Sequence, residues 1–136
     1  MANYAVASDL YNIFGEANVK EWANMEELAT SASTYDTTVA ARILAALTYA
    51  TNDIDDYLRD GPYAIPFTIV PEIIKLCCCY KGGCWLFEWR RDDEKNDRYK
   101  KFEERANKIL EEIKRGARTF DSTVQTVKGT RVPGVV

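Results

Sequence analysis

Four cysteines, Cys77, Cys78, Cys79 and Cys84, form the densest group of chemically capable side chains in this sequence. Thiolates are the usual ligands of structural zinc and the working groups of redox sites. Their spacing suits neither use. On a helix three consecutive residues diverge by about 100° each, so only Cys77 and Cys84, seven apart, return to one face. That pattern lacks the paired Cys-x-x-Cys knuckles of a zinc site, and a cytosolic setting disfavours disulfides, so the four are expected to be reduced core residues. A second group, Asp53, Asp55 and Asp56, has the residue types of a general acid and base or of a hard-cation site. Short acidic side chains at a helix end more often hydrogen-bond the turn that follows, and that is the role expected of them. The chain contains no histidine, which removes the Ser-His and Cys-His nucleophile systems and the commonest zinc ligand. It has no glycine-rich phosphate loop either. Trp85, Phe87 and Trp89 are expected to serve core or interface packing rather than a ligand pocket. No catalytic residue, metal or cofactor is assigned, and the chain is not expected to be an enzyme.

The elements that carry these residues are helices. At 136 residues, 46% of them hydrophobic, the chain is of one-domain size with enough apolar surface for a single core. Residues 39–80 organise it. Val39, Ile43, Ala46, Leu47, Ala50, Ile54, Tyr57 and Leu58 recur at three- and four-residue spacing, which predicts a long amphipathic helix with Asp36 as N-cap and Gly61-Pro62 as its stop. Tyr63, Ile65 and Phe67 alternate around Pro66, and Pro71 restarts a second, almost wholly apolar helix as its first residue. Asp55, Tyr57, Pro62, Tyr63, Pro66 and Pro71 are accordingly assigned to a structural turn, whose prolines set the angle between the two helices. The second helix is expected to continue through Gly82 and Gly83 despite a cost of about 1 kcal/mol for each relative to alanine, because the apolar pattern resumes beyond them. Glycine there would let another helix approach closely.

Upstream, Ser8 with Asp9 reads as the opening of a short helix carrying Leu10, Ile13 and Phe14 and closed by Gly15. A second short helical piece follows, with Val19 and Trp22 inward. Residues 24–35, poor in large apolar groups, read as a loop and a flexible insertion. Downstream, residues 90–97 are a charge run read as a helix end and a loop. Residues 98–115 form a last helix with Tyr99, Phe102, Ala106, Ile109, Leu110 and Ile113 as its stripe. Glu104-Lys108 and Glu111-Arg115 pairs add a few tenths of a kcal/mol each on its outer face, and Gly116 ends it. The expected fold is all-α: a small helical bundle with two long central helices joined by a proline-rich turn, plus an extended C-terminal tail. The helical domain is assigned to residues 1–118 and the tail to residues 119–136.

Charge is distributed unevenly. The net charge is -3 at pH 7, but residues 1–66 hold ten acids against three bases and residues 67–136 hold eleven acids against fifteen bases. Such polarity suits head-to-tail or ring assembly, where an acidic face of one copy meets a basic face of the next; solvated helix faces in an uneven order would look the same. From residue 117 onward periodicity is lost. A basic, valine-bearing segment of this kind cannot fold alone and is either disordered or ordered by a partner, so Arg118, Val124, Val127, Lys128, Arg131 and Val132 are the candidate residues of a partner-binding tail. No apolar run reaches the roughly 18 residues needed to span a bilayer, and the first nine residues lack the regions of a signal peptide. Synthesis in the cytoplasm and no contact with membrane are the expectation.

The ordered set of motifs resembles a family of small proteins encoded in the head-gene region of Mu-like phages and prophages, and more distantly the head-tail adaptor proteins of long-tailed phages. The residues that carry the likeness are Tyr4, Asp9-Leu10 and Phe14-Gly15-Glu16; Ile54-Asp55 with Tyr57-Leu58; Tyr63 with Ile65-Pro66-Phe67; Val70-Pro71 with Ile74-Lys75; and Arg98-Tyr99-Lys100 with Gly116. The three consecutive cysteines and Gly82-Gly83 depart from the family, which typically has a polar, alanine-containing helix there. No family role is assigned to the basic tail. The resemblance implies a virion structural subunit, located in the neck or connector, that forms a homo-oligomeric ring of twelve beneath the portal protein. Such a ring joins the capsid to a tail or stopper protein and leaves a channel through which DNA passes without sequence-specific binding. The rival reading is a non-virion helical interaction or regulatory protein acting as a dimer, and a third is a thiol-based metal or redox sensor.

Overall fold

The structure, a computed structural model, describes residues 2–90 and 97–120. The described residues form five helices, α1 (Ala7–Phe14), α2 (Glu16–Ala23), α3 (Tyr35–Leu58), α4 (Glu72–Arg90) and α5 (Asp97–Lys114). The fold is an all-α small bundle, with α3 and α4 as the long central pair joined through the proline turn.

Helix α1 begins one residue before Ser8. Val6 is its N-cap, and Asp9 stabilises the start by accepting the Val6 N–H at 2.9 Å. The acid therefore caps from inside the first turn, and Ser8 is not the boundary. Gly15, at φ 91°, ends α1 and begins α2 in one step, a left-handed conformation that a side chain would resist. Between α2 and α3, residues 24–34 are not helical, and they are pinned. Asn24 holds both the N–H and the carbonyl of Leu28 at 2.9 Å, and Arg42 of α3 pairs with Glu26.

The inward stripe of α3 is the periodic one, with Val39, Ile43, Ala46, Leu47, Ala50, Ile54 and Leu58 buried. Two boundary expectations are corrected. Thr34 is the N-cap, with Asp36 inside the first turn, where a carboxylate still complements the helix dipole. The helix also ends before Gly61-Pro62: Arg59 is its C-cap, and Asp60 turns the chain at φ 74°. At the other side of the turn, Pro71 precedes α4 rather than opening it, and its carbonyl accepts the N–H groups of Ile74 and Lys75 at 3.0 and 3.1 Å. Proline has no N–H to lose, yet its carbonyl still nucleates the first turn.

Helix α4 is the axis of the bundle, packed by α3 on one side, α5 on another and the α1–α2 pair across a third. Enclosure on nearly every side explains why it shows an apolar run rather than a stripe. Each large apolar side chain buried here contributes about 1.5–3 kcal/mol. The helix does run through both glycines. At Gly82 the Ala46 carbonyl of α3 would lie 3.5 Å from an added Cβ, so the two backbones approach closely there. Beside them, Phe14, Trp22, Phe87, Tyr99 and Phe102 form a continuous aromatic cluster joining α1, α2, α4 and α5. Trp85 stacks on Tyr49 of α3 at 6.0 Å instead. Helix α5 closes at Gly116, φ 77°.

Candidate functional site

The residues assigned to the proline turn converge on two buried tyrosines. Tyr4, in the extended segment before α1, donates its hydroxyl hydrogen to the Asp55 carboxylate of α3 and accepts the Phe67 N–H at 2.9 Å. One side chain thus ties the N-terminal segment, the end of α3 and the turn together. Burial raises the Asp55 carboxyl above its usual range, with the Tyr4 hydrogen bond opposing the shift. Burial and that same bond push the Tyr4 phenol far upward. Tyr63 does the corresponding work at the other edge. Its hydroxyl accepts the Phe120 N–H at 2.8 Å, and the two rings lie 4.5 Å apart. Tyr57 faces α5, donating to Glu111 at 2.8 Å with Lys114 over its ring. Pro62 is buried, Pro66 is exposed, and the Ile65-Pro66 peptide is cis.

The three acids of α3 part company, which corrects the expectation that they hydrogen-bond the following turn. Asp55 goes inward to Tyr4 and supports the turn only through it. Asp56 pairs with Arg59 at 2.9 Å. Asp53 points to the opposite side and meets Lys81 of α4 at 2.7 Å. Lys81 has a side chain only 2% exposed and also donates to Asn107 of α5 at 2.6 Å. Glu103 flanks the group, its carboxyl raised by burial against the opposing charge of Lys81. The sequence placed Lys81 within the second central helix but assigned it no role. Its one signal was a lone charge within an apolar run.

All four cysteines are free and buried. Cys77 and Cys84 share the α5 side, directed at the carbonyls of Ala106 (3.9 Å) and Tyr99 (2.8 Å), while Cys78 faces Leu47 and Thr51 of α3. Burial pushes Cys77, Cys79 and Cys84 up to about 12 and Cys78 to about 11, far from the thiolate range of a nucleophile or ligand. Among the described residues no three Cys, Asp or Glu side chains gather as a metal site would require.

Two of the surface hollows border the turn and the N-terminal segment. A polar hollow of about 580 Å³ beside the turn is lined by Asn52, Asp55, Asp56, Arg59, Asp60, Tyr63, Ile65 and Pro66. An apolar groove of about 460 Å³ runs between the N-terminal segment and α3, with Val6 and Leu44 on its rim 59% and 60% exposed. Of the residues assigned to a partner-binding tail, Arg118 is engaged internally, paired with Glu112 at 3.1 Å. Val124, Val127, Lys128, Arg131 and Val132 lie outside the described residues. Phe120 packs on Tyr63 and Phe67, so the packed unit reaches past residue 118.

A five-helix bundle with a tyrosine-clamped turn, cysteines used as core and no helix of the described residues long and apolar enough to cross a membrane defines a small all-helical protein. Residues 4–133 match the family model described as Bacteriophage Mu, Gp36, and the chain belongs to that phage protein family. No curated protein matches it.

Proposed function

We propose that this phage protein is a non-enzymatic structural subunit of the particle, a head-tail adaptor. Twelve copies would form a ring beneath the portal and join the capsid to a tail or stopper protein around the DNA channel. The observation that carries the reading is membership of the Mu Gp36 family across residues 4–133, taken with the adaptor-like order of Asp55, Tyr57, Tyr63, Pro66 and Pro71 around the turn. The groove rimmed by Val6 and Leu44 supports it, since an exposed apolar concavity suits an adjoining subunit. Cysteines and acids held in internal contacts fit a building block better than a thiol sensor.

Mass spectrometry of purified particles, negative-stain microscopy of the isolated protein and the phenotype of a phage lacking the gene test the reading together. The expected outcome is protein in virions, rings on the grid, and a mutant lysate of filled heads and separate tails. A discrete dimer absent from particles, with heads and tails still joined in the mutant, would instead support the regulatory alternative.

A further inference from the structure

Most bases whose side chains are described are neutralised locally. Outside one strip, Lys20, Arg42, Arg59, Lys75, Lys81, Arg115 and Arg118 each hold an acid at 2.5–3.8 Å, and Lys114 lies over the Tyr57 ring. The strip is Lys100, Lys101, Arg105 and Lys108, the outer face of the first three turns of α5. All four are exposed and none makes an ion pair with a described residue, although Arg105 also lies over the Phe102 ring at 5.9 Å. They occupy an arc of about 140° over about 12 Å of helix, and only Glu104 lies among them.

We infer that this strip is a docking surface for the phosphate backbone of double-stranded DNA. The chemistry separates DNA from a protein partner. Protein interfaces are centred on apolar or aromatic anchors and are depleted in lysine. The exposed large apolar residues of the described chain are Val6, Leu44, Tyr49 and Ile69, none of them on α5. Long basic side chains on a rigid helix, without an apolar anchor, meet what a polyphosphate requires: charge at a spacing that reaches successive phosphates, with no base contact. The inference rests on the adaptor reading for its setting, a channel through which DNA moves. There the twelvefold repeat would offer a weak, salt-labile track rather than a tight site.

The test is fluorescence anisotropy of the full chain with a labelled duplex of mixed sequence, titrated at several salt concentrations. Binding should be independent of sequence, and log K should fall with log salt at a slope of about -2 to -4, as for two to four phosphates neutralised. K101E/R105E/K108E should weaken binding at least tenfold with circular dichroism and melting unchanged. K101Q/R105Q/K108Q should do so less strongly, and K128E/R131E should have little effect. Absence of binding at low salt, insensitivity to the α5 substitutions, or loss on the tail substitutions instead would overturn the inference. So would α5 substitutions that abolish self-association in sedimentation while leaving DNA affinity intact, since the strip would then meet another copy. Failure of the adaptor reading shows separately, as absence of the protein from virions.

Discussion

Gly83 of α4 lies directly under the ring of Phe14, so closely that a Cβ there would stand 2.2 Å from Phe14 Cε2. The ring cannot yield, because Trp22 and Phe102 pack against it at 5.6 and 5.2 Å. Gly83→Ala should therefore destabilise the fold by about 1–2 kcal/mol, the overpacking cost less the helix-propensity gain. Gly82→Ala, whose Cβ would meet Leu47 at an ordinary 3.4 Å, should be neutral or stabilising by up to about 1 kcal/mol. Urea denaturation of the two variants checks the contrast, and equal effects would show that the ring can move.

Tyr4→Phe removes the hydroxyl that serves both Asp55 and the Phe67 N–H. Two buried polar groups lose their shared partner, at a cost of about 2–3 kcal/mol.

Asp55 also sets a pH dependence. Its folded-state pKa is raised above the usual 3.8, so its contribution to stability is fully present below the unfolded value and is lost as pH rises through the folded one. The stability advantage of wild type over Asp55→Asn should accordingly shrink as pH rises above the ordinary carboxylate range. Paired denaturant titrations across that rise measure it; an advantage that grows with pH would contradict the burial account.

Lys81 and Asp53 make an asymmetric pair. Removing the acid leaves an enclosed ammonium hydrogen-bonded to Asn107 with only the flanking Glu103 carboxyl to oppose its charge, whereas removing the base leaves a carboxylate 39% exposed to water. Asp53→Asn should cost about 1–3 kcal/mol, discounted for that exposure. Lys81→Met, which keeps the packing volume, should cost less than about 1.5 kcal/mol. Melting curves should rank them in that order.

Thiols buried and held near 11 to 12 should not react with an aromatic disulfide reagent in the native protein and should all react on unfolding. Single cysteine-to-alanine variants should lose about 1 kcal/mol each and carry no metal. Stoichiometric zinc in protein purified under reducing conditions, lost on mutation, would reverse this assignment.

Because Phe120 docks on Tyr63 and Phe67, truncation of the tail belongs after residue 120. The shortened chain should melt within a few degrees of the full one yet fail to join heads to tails. Normal particle yield would remove the tail from the proposed partner contacts.

What the sequence determined by itself was local. Three- and four-residue periodicity sets the buried faces of α3 and α5, and glycines at 15 and 116 mark real ends because each adopts a positive φ. The seven-residue spacing already placed Cys77 and Cys84 on one face. What it could not assign were partners distant along the chain. Asp53, Asp55 and Asp56 look alike in sequence, yet helical rotation sends one to Lys81, one to Tyr4 and one to Arg59. Tyr4 lies 51 residues from Asp55 and 63 from Phe67, and no local pattern encodes that meeting. Only the tertiary structure decided it, because a buried polar group takes whichever donor or acceptor the packed helices bring within reach.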